Sequence, residues 1–378
     1  MNKTYKYRLY PTKKQIQKLN WTLDMCRVLY NSCLLDRKNS YIQTGKGFTR
    51  IEQQKILKED KKRFRFLNEV HSQVLQDVLF RVERAFQSFF RRVKANSEKP
   101  GYPRFKGEGR YDSIIYPQQP GFQLISQGLK LSKIGTIKIK LHRKLGDGIK
   151  TLTVRRTNNK WYACFSCEIE SHPLPVIDKT VGIDVGIASF ATLSTGEKIN
   201  NPRFFKTDQK KLAKAQKRLS KTKKGTPDRK KQRKKVSRIH EKIANKRSDF
   251  AHKLSRTLVN GFQVITFEKL NIKDMMGNNT KIFGHKLNKS ISDVAWSQFM
   301  NFTTYKAECA GRSVIFVNPR NTSKRCSRCG QLVEKTLADR VHSCSCGLVM
   351  DRDENAAINI LALGTQSLGF TLEAPSYL

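Results

Sequence analysis

Acidic residues are scarce in this chain of 378 residues: 31 Asp and Glu stand against 74 Lys and Arg, a formal net charge of +43. An excess of one sign on that scale repels itself unless a polyanion neutralises it, so nucleic acid is the expected partner. Long apolar runs are missing as well. No stretch reaches the roughly eighteen apolar residues of a membrane span. The opening Met1-Asn2-Lys3-Thr4-Tyr5-Lys6 leads into alternation, not an apolar block, so neither a membrane protein nor a secreted one is expected, and the cytoplasm is the expected location. A disulfide framework is also lacking. Nine cysteines is an odd number, and four of them fall between positions 326 and 346 while five are scattered, a distribution that suggests metal, not cross-links.

The length allows two or three domains with sizeable cores. Tyr5, Tyr7 and Leu9 alternate with Lys6 and Arg8 and predict a first strand, stopped by Pro11. Thr12 followed by Gln15 reads as a capping box for a helix with Ile16, Leu19, Leu23 and Cys26 on one stripe; Cys26 and Cys33 are read as small core residues. A second helix is expected over 72–93, with Leu75, Leu79, Val82, Phe86, Phe89 and Val93 at helical spacing. Ser72, Gln73 and Gln76 share another of its faces, which is either solvated or placed to read base edges, since glutamine pairs bidentately with adenine. Lys99-Pro100-Gly101-Tyr102-Pro103 ends the helical region. Short strands are expected at 113–116, 136–141, 152–154 and 161–169, the last two joined by an Asn158-Asn159 hairpin. Together with strand 5–9 they form a β-rich domain into which the helices are inserted. Cys164 and Cys167 lie on one strand, where residues three apart face opposite sides, so they are rejected as a metal site.

His172-Pro173-Leu174-Pro175 reads as a linker, and 180–193 as strand-like, turned back at Ser194-Thr195-Gly196-Glu197 into a short strand; this begins an antiparallel meander. Between Arg203 and Arg256 there are 22 Lys or Arg and 4 acids, implying long basic helices broken near Gly225-Thr226-Pro227 and suited to a phosphate backbone. Such contacts set affinity without carrying sequence information. Residues 271–288 are either a mobile loop beside a site or an ordinary connection. A helix over 296–309 and a buried strand over 313–317 follow. The tail 364–378 carries no interpretable signal and is expected to be disordered or RNA-associated.

Cys326-Ser327-Arg328-Cys329-Gly330 and Cys344-Ser345-Cys346-Gly347 are two tight thiol pairs, each followed by a glycine that permits a knuckle turn. A structural Zn²⁺ site is expected. Because the second pair is Cys-x-Cys, His342 is an alternative ligand, with four cysteines the preferred set. A module of about twenty-five residues has little core and would need the metal to fold. Three acids stand out beside it: Asp184 in Gly182-Ile183-Asp184-Val185-Gly186, Glu268 closing Val264-Ile265-Thr266-Phe267-Glu268, and one from Asp351-Arg352-Asp353-Glu354. Asp351 with Glu354 makes a capping box, which leaves Asp353 in the first helical turn as the candidate ligand. Singly, each acid could be a cap or a surface carboxylate. Brought together, they would form an oxygen-ligand cluster of the kind that holds one or two Mg²⁺ ions for in-line attack on a phosphodiester.

Lys6-Tyr7-Arg8-Leu9-Tyr10-Pro11-Thr12, Tyr102-Pro103-Arg104-Phe105-Lys106, Gly182-Ile183-Asp184-Val185-Gly186, Phe267-Glu268-Lys269-Leu270, Thr322-Ser323 before Cys326, and Cys346-Gly347 leading into Asp351-Arg352-Asp353-Glu354-Asn355-Ala356-Ala357 occur in that order. In these the chain resembles the TnpB family, transposon-associated RNA-guided nucleases thought ancestral to type V CRISPR effectors. The resemblance implies an α/β multidomain fold: an RNase H-like RuvC nuclease with an inserted zinc ribbon, plus an N-terminal wedge β-barrel with a helical recognition insert. It divides the chain into wedge (1–10 and 100–175), recognition helices (11–99), RuvC (176–320, with basic helices 203–256, and 348–378 including the tail) and zinc module (321–347). It also implies a two-Mg²⁺ triad of Asp184, Glu268 and Asp353, and structural Zn²⁺ on Cys326, Cys329, Cys344 and Cys346. The partners it implies are a noncoding guide RNA and double-stranded target DNA beside a short motif, with the protein monomeric in the RNA complex. The helix face of Ser72, Gln73 and Gln76 is then the place to look for motif contacts. Two alternatives remain at this level: an RNA-guided repressor that does not cut, though such relatives usually lack the acids, and a strand-transfer transposase, whose acids normally run Asp, Asp, Glu and not Asp, Glu, Asp.

Overall fold

In the computed structural model the described residues are 2–96, 99–146, 148–277, 282–336 and 338–367. The expectation for the tail falls mainly on 368–378, outside them; over 364–366 it is corrected, because that part is helical with Gly364 and Thr365 buried. The chain forms two compact units, Met1–Ile169 and Glu170–Leu378.

In the first unit, β1 (Asn2–Tyr10) buries Tyr5, Tyr7 and Leu9, the alternating apolar face. Three helices then leave the sheet: α1 (Lys13–Thr44), α2 (Arg50–Arg63) and α3 (Ser72–Lys94). The capping box of α1 is present, with the Gln15 amide N–H donating to the Thr12 hydroxyl and the Gln15 side chain accepting from the Thr12 N–H. Leu19, Leu23, Cys26 and Cys33 of α1 are buried with Leu75, Leu79, Val82 and Phe86 of α3, each large aliphatic chain contributing about 1.5–3 kcal/mol. Burial pushes the Cys26 and Cys33 thiols up to about 12, as inert core residues require. The α3 stripe leaves the core after Phe86; Val93 is exposed.

The chain returns to the sheet through β2 (Ser113–Tyr116), β3 (Phe122–Ile125), β4 (Gly128–Leu131), β5 (Gly135–Lys140), β6 (Ile149–Thr157) and β7 (Lys160–Glu168). Their order is β2-β6-β7-β1-β5-β4-β3, antiparallel throughout. Asn158 and Asn159 both have positive φ (49° and 62°), the backbone of the tight β6–β7 hairpin turn. Cys167 is buried and Cys164 only partly so, facing opposite ways as the strand period demands. β3 and β4 were not expected.

The second unit begins with an antiparallel meander of β8 (Thr180–Val185), β9 (Ser189–Leu193) and β10 (Lys198–Asn200), so the run 180–193 is two strands, not one. Two basic helices, α4 (Phe204–Ser220) and α5 (Pro227–Gly261), precede β11 (Val264–Glu268), which pairs parallel to β8. Thr226 caps α5 by accepting from the Arg229 N–H, with Pro227 in the first turn. After α6 (Ile272–Gly277), α7 (Ile282–Val294) and α8 (Trp296–Cys309), β12 (Ser313–Val317) pairs parallel to β11. The stretch 271–288, expected as a loop or an ordinary connection, is mostly helical among its described residues. The sheet order is β10-β9-β8-β11-β12. β12 stands at its edge with Phe316 41% exposed and Val317 buried, which corrects the expectation of a buried strand. A two-stranded ribbon of β13 (Val341–Ser343) and β14 (Val349–Asp351) leads into α9 (Arg352–Gln366).

Candidate carboxylate site and cysteine centre

Strand register brings the first two acids together. β8 and β11 run parallel with Ile183 opposite Phe267, so the next residue on each, Asp184 and Glu268, emerges at the same carboxyl edge of the sheet. Ligands in open α/β sheets bind at this edge. The third acid arrives on α9, whose backbone lies directly on the sheet. A Cβ at Gly182 would stand 2.1 Å from the Ala357 carbonyl oxygen, and one at Gly364 would stand 2.3 Å from Thr266 Oγ1. Two glycines thus permit an approach that any side chain would block. Asp351 caps α9, its Oδ1 accepting from the N–H groups of Asp353 (3.0 Å) and Glu354 (3.2 Å), and Asp353 sits in the first turn.

The three acids share one electrostatic environment. Loss of water around Asp184, then repulsion from Glu268 and Asp353, raises its carboxyl to about 8, against a smaller pull from Arg352. Burial also raises Glu268, which is 8% exposed, opposed by a hydrogen bond from the Thr322 hydroxyl. Arg352 grips Asp353 Oδ1 through Nε (3.0 Å) and Nη2 (2.9 Å). Lys198 Nζ pairs with Asp351 Oδ2 at 2.6 Å, and that hydrogen bond, with the two cap bonds, outweighs desolvation and holds Asp351 below its usual value. Hard carboxylate oxygens in a partly dehydrated, electronegative pocket suit a divalent cation such as Mg²⁺, whose charge would relieve the repulsion that now favours the proton on Asp184.

The cysteine centre is more tightly assembled. Among the described residues, Cys326, Cys329, Cys344 and Cys346 form the group of metal-ligating side chains whose donor atoms all lie within 4.8 Å of one another; the carboxylates are not gathered so closely. Cys326 and Cys346 sulfurs are 3.6 Å apart and those of Cys329 and Cys344 are 3.5 Å apart. Four sulfurs about 2.3 Å from a tetrahedral Zn²⁺ would be separated by about 3.8 Å, so the quartet fits that ion closely. Positive φ at Gly330 (80°) and Gly347 (83°) makes the two knuckle turns. His342, the alternative ligand, lies outside the quartet; it is fully buried and its Nδ1 accepts from Lys335 Nζ.

Three polar residues to which the sequence assigned no role, Thr322 and Asn355 standing there only within the family motifs, connect the two centres. Asn355 and Asn359, four apart on the buried face of α9, reach the segment carrying the first cysteine pair, and Thr322 on that segment reaches Glu268. Asparagines at helical spacing among Ala356, Ala357 and Ile360 were the visible signal, since a buried amide requires partners.

Elsewhere, Ser72 and Gln76 are exposed and Gln73 half-buried at the start of α3, with Ser72 accepting from Lys61 Nζ at 2.7 Å. α4 and α5 enclose a cleft of about 510 Å³ whose charged lining, Lys211, Lys214, Arg218, Lys235, Arg238 and Lys242, is wholly cationic.

Acids set at the carboxyl edge of an open mixed sheet, in a chain this basic, define an α/β multidomain protein of the nuclease class. Residues 164–279 match the family described as "Probable transposase", residues 296–360 "Cas12f1-like, TNB domain", and residues 1–46 a "Helix-turn-helix domain". A Streptomyces pristinaespiralis protein named "Putative RNA-guided DNA endonuclease" is 36% identical over 96% of this chain and 90% of its own length. An Escherichia coli K12 protein, "Putative RNA-guided DNA endonuclease InsQ", is 31% identical over 95% and 92%. With such relatives along nearly its whole length, the chain belongs to the TnpB family. It also shares its fold with the mini-RNA-guided endonuclease CRISPR-Cas phi3 (TM-score 0.52, 9% identity, 99% of this chain and 94% of that one).

Proposed function

We propose that this protein is an RNA-guided DNA endonuclease that hydrolyses both strands of a double-stranded target in one RuvC-type site. The observation that carries this reading is the register that sets Asp184 beside Glu268 and the glycine-packed helix that adds Asp353. The names of the two full-length relatives support it, and so does a mixed sheet of three antiparallel strands followed by two parallel ones, as an RNase H-like core requires. Divalent cations bound by the three acids would supply an activated water and neutralise the leaving oxygen.

The chain's own residues supply the rest. Asp184 would bind the cation as a carboxylate, Arg352 fixes one oxygen of Asp353, and Lys198 holds the Asp351 cap that begins α9. Cys326, Cys329, Cys344 and Cys346 would hold a structural Zn²⁺. Residues 1–10 and 100–175 are the wedge, 11–99 the recognition helices, 176–320 and 348–378 the RuvC domain, and 321–347 the zinc module. A noncoding guide RNA from the transposon end pairs with one target strand, while Ser72, Gln73 and Gln76 contact the short adjacent motif; base pairing reads the sequence. The phosphate backbone runs over the cationic α4–α5 cleft. The RNA complex is monomeric and acts in the cytoplasm of a prokaryotic cell.

The test is to purify the protein expressed with its native downstream flank, sequence the bound RNA, and use it to direct Mg²⁺-dependent cleavage. One abundant RNA with a fixed scaffold, and cutting abolished by Asp184→Ala with target binding retained, is the expected result. Cleavage surviving Asp184→Ala overturns the assignment. Joined transposon ends in place of hydrolysed target would make it a strand-transfer enzyme.

A further inference from the structure

We propose that Thr322 is a positioning residue for Glu268, and that through it the state of the cysteine centre reaches the carboxylate site. The inference rests on the reading of Glu268 as a cation ligand. Thr322 is 4% exposed, and its hydroxyl donates to Glu268 Oε1 at 2.5 Å. A carboxylate with one oxygen fixed in this way presents the other in a single orientation, and hydrogen bonds of this kind behind a metal ligand are typically worth 10–100-fold in metal affinity or activity.

Thr322 is itself held from two sides. Its carbonyl accepts from Asn359 Nδ2 at 2.9 Å, and Asn359 belongs to the helix that carries Asp353. Four residues further on is Cys326. The same Asn359 amide donates to the Arg325 carbonyl at 2.7 Å, joined by Asn355 Nδ2 at 2.8 Å, while Asn355 Oδ1 accepts from the Ser327 N–H at 3.0 Å. The knuckle that begins there closes on itself through Cys326 N–H to the Gln331 carbonyl and Gly330 N–H to the Cys326 carbonyl, both 2.9 Å. Hydrogen bonds through Asn359, with the short covalent steps across Thr322 and from Arg325 to Cys326, therefore connect the first cysteine of the quartet to Glu268. A merely local role for Thr322, filling space under the knuckle, would need the hydroxyl's shape but not its proton.

Thr322→Val keeps the shape and removes the donor; Thr322→Ser keeps the donor. In the assembled RNA complex, two midpoints are read against Mg²⁺ concentration: half-maximal cleavage, and half-maximal thermal stabilisation in the absence of target. Thr322→Val is expected to raise both by ~10-fold, with cleavage largely recovered at saturating Mg²⁺ and target binding unchanged, and Thr322→Ser to restore both. Midpoints equal to wild type in Thr322→Val, or equal shifts in both variants, overturn the positioning role. Zinc is then withdrawn with a chelator and its release followed colorimetrically. The expected result is a midpoint shift in the wild type that is largely absent in Thr322→Val, because the connection is already cut. Additive shifts overturn the coupling. A wild-type complex that cuts at no Mg²⁺ concentration, or a Glu268→Gln complex that cuts normally, instead overturns the nuclease reading and this inference with it.

Discussion

The two candidate centres are built in opposite ways. The four thiols lie within twenty-one residues and converge to within 4.8 Å on two glycine turns. The three carboxylates come from positions 184, 268 and 353 and are held by a strand register and a helix docking. Sulfurs that hydrogen-bond to one another in pairs tolerate crowding before a metal arrives, whereas carboxylates in a poorly hydrated site do not, and burial followed by repulsion from its neighbours raises the Asp184 carboxyl. One centre is thus set by local chain geometry and helps to fold its surroundings; the other is a product of the fold.

The sharpest way to break this comparison is to remove an acid without disturbing the fold. Asp184→Ala should cost at least ~10³-fold in cleavage rate, about 4 kcal/mol at the transition state, while the thermal midpoint in metal-free buffer rises slightly as repulsion is relieved. A lowered midpoint would mean that Asp184 is structural. On the other side, Cys329→Ser or zinc withdrawal should open 321–347 to proteolysis while the first unit stays protected, since a structural zinc supplies on the order of 10 kcal/mol to modules of this size. Unchanged digestion there would show that the quartet needs no metal.

Next in size is the helix docking. Gly182→Ala places a Cβ 2.1 Å from the Ala357 carbonyl oxygen, a backbone clash that cannot be relieved by rotating a side chain. A loss of ~3 kcal/mol in stability is expected, together with loss of cleavage, both measurable by denaturant titration and a plasmid-nicking assay. A smaller effect follows from protonation. Asp184 rises from 3.8 to about 8 on folding, so between those values the folded chain keeps a proton that the unfolded chain has released. Stability without divalent metal must then fall as pH rises through that window, most steeply from about pH 5 to 7. Saturating Mg²⁺ should flatten the slope, and so should Asp184→Asn; a metal-free midpoint independent of pH would refute the shared environment. The mildest test concerns the cationic cleft: if Lys235 neutralises one phosphate, Lys235→Gln should lower the slope of log affinity for RNA against log salt by ~1 at most, and an unchanged slope would take the RNA off this cleft.

Much of this was legible in the sequence because its causes are local. Alternation marked β1, Thr12 and Gln15 marked the start of α1, Thr226-Pro227 marked α5, and Asp351 marked the cap of α9, each a matter of a few neighbouring residues. The motifs and their order pointed to the family, and the cysteine spacing to a metal centre. What fails locally was not legible. β3 and β4 were passed over although β2, of the same four-residue length, was expected, and an apolar run cannot say whether its strand lies inside a sheet or at its edge, as β12 does.

The sequence by itself determined which residue types were available: acids too few to balance the cations, thiols in pairs, asparagines on an apolar helix face. Only the tertiary structure decided that Ile183 pairs with Phe267, that α9 settles onto Gly182, and that Thr322 bonds to Glu268. The physical reason is range. Turns and caps are fixed by interactions over three or four residues, whereas register and docking are chosen by packing between segments far apart in the chain, as Ile183 and Phe267 are.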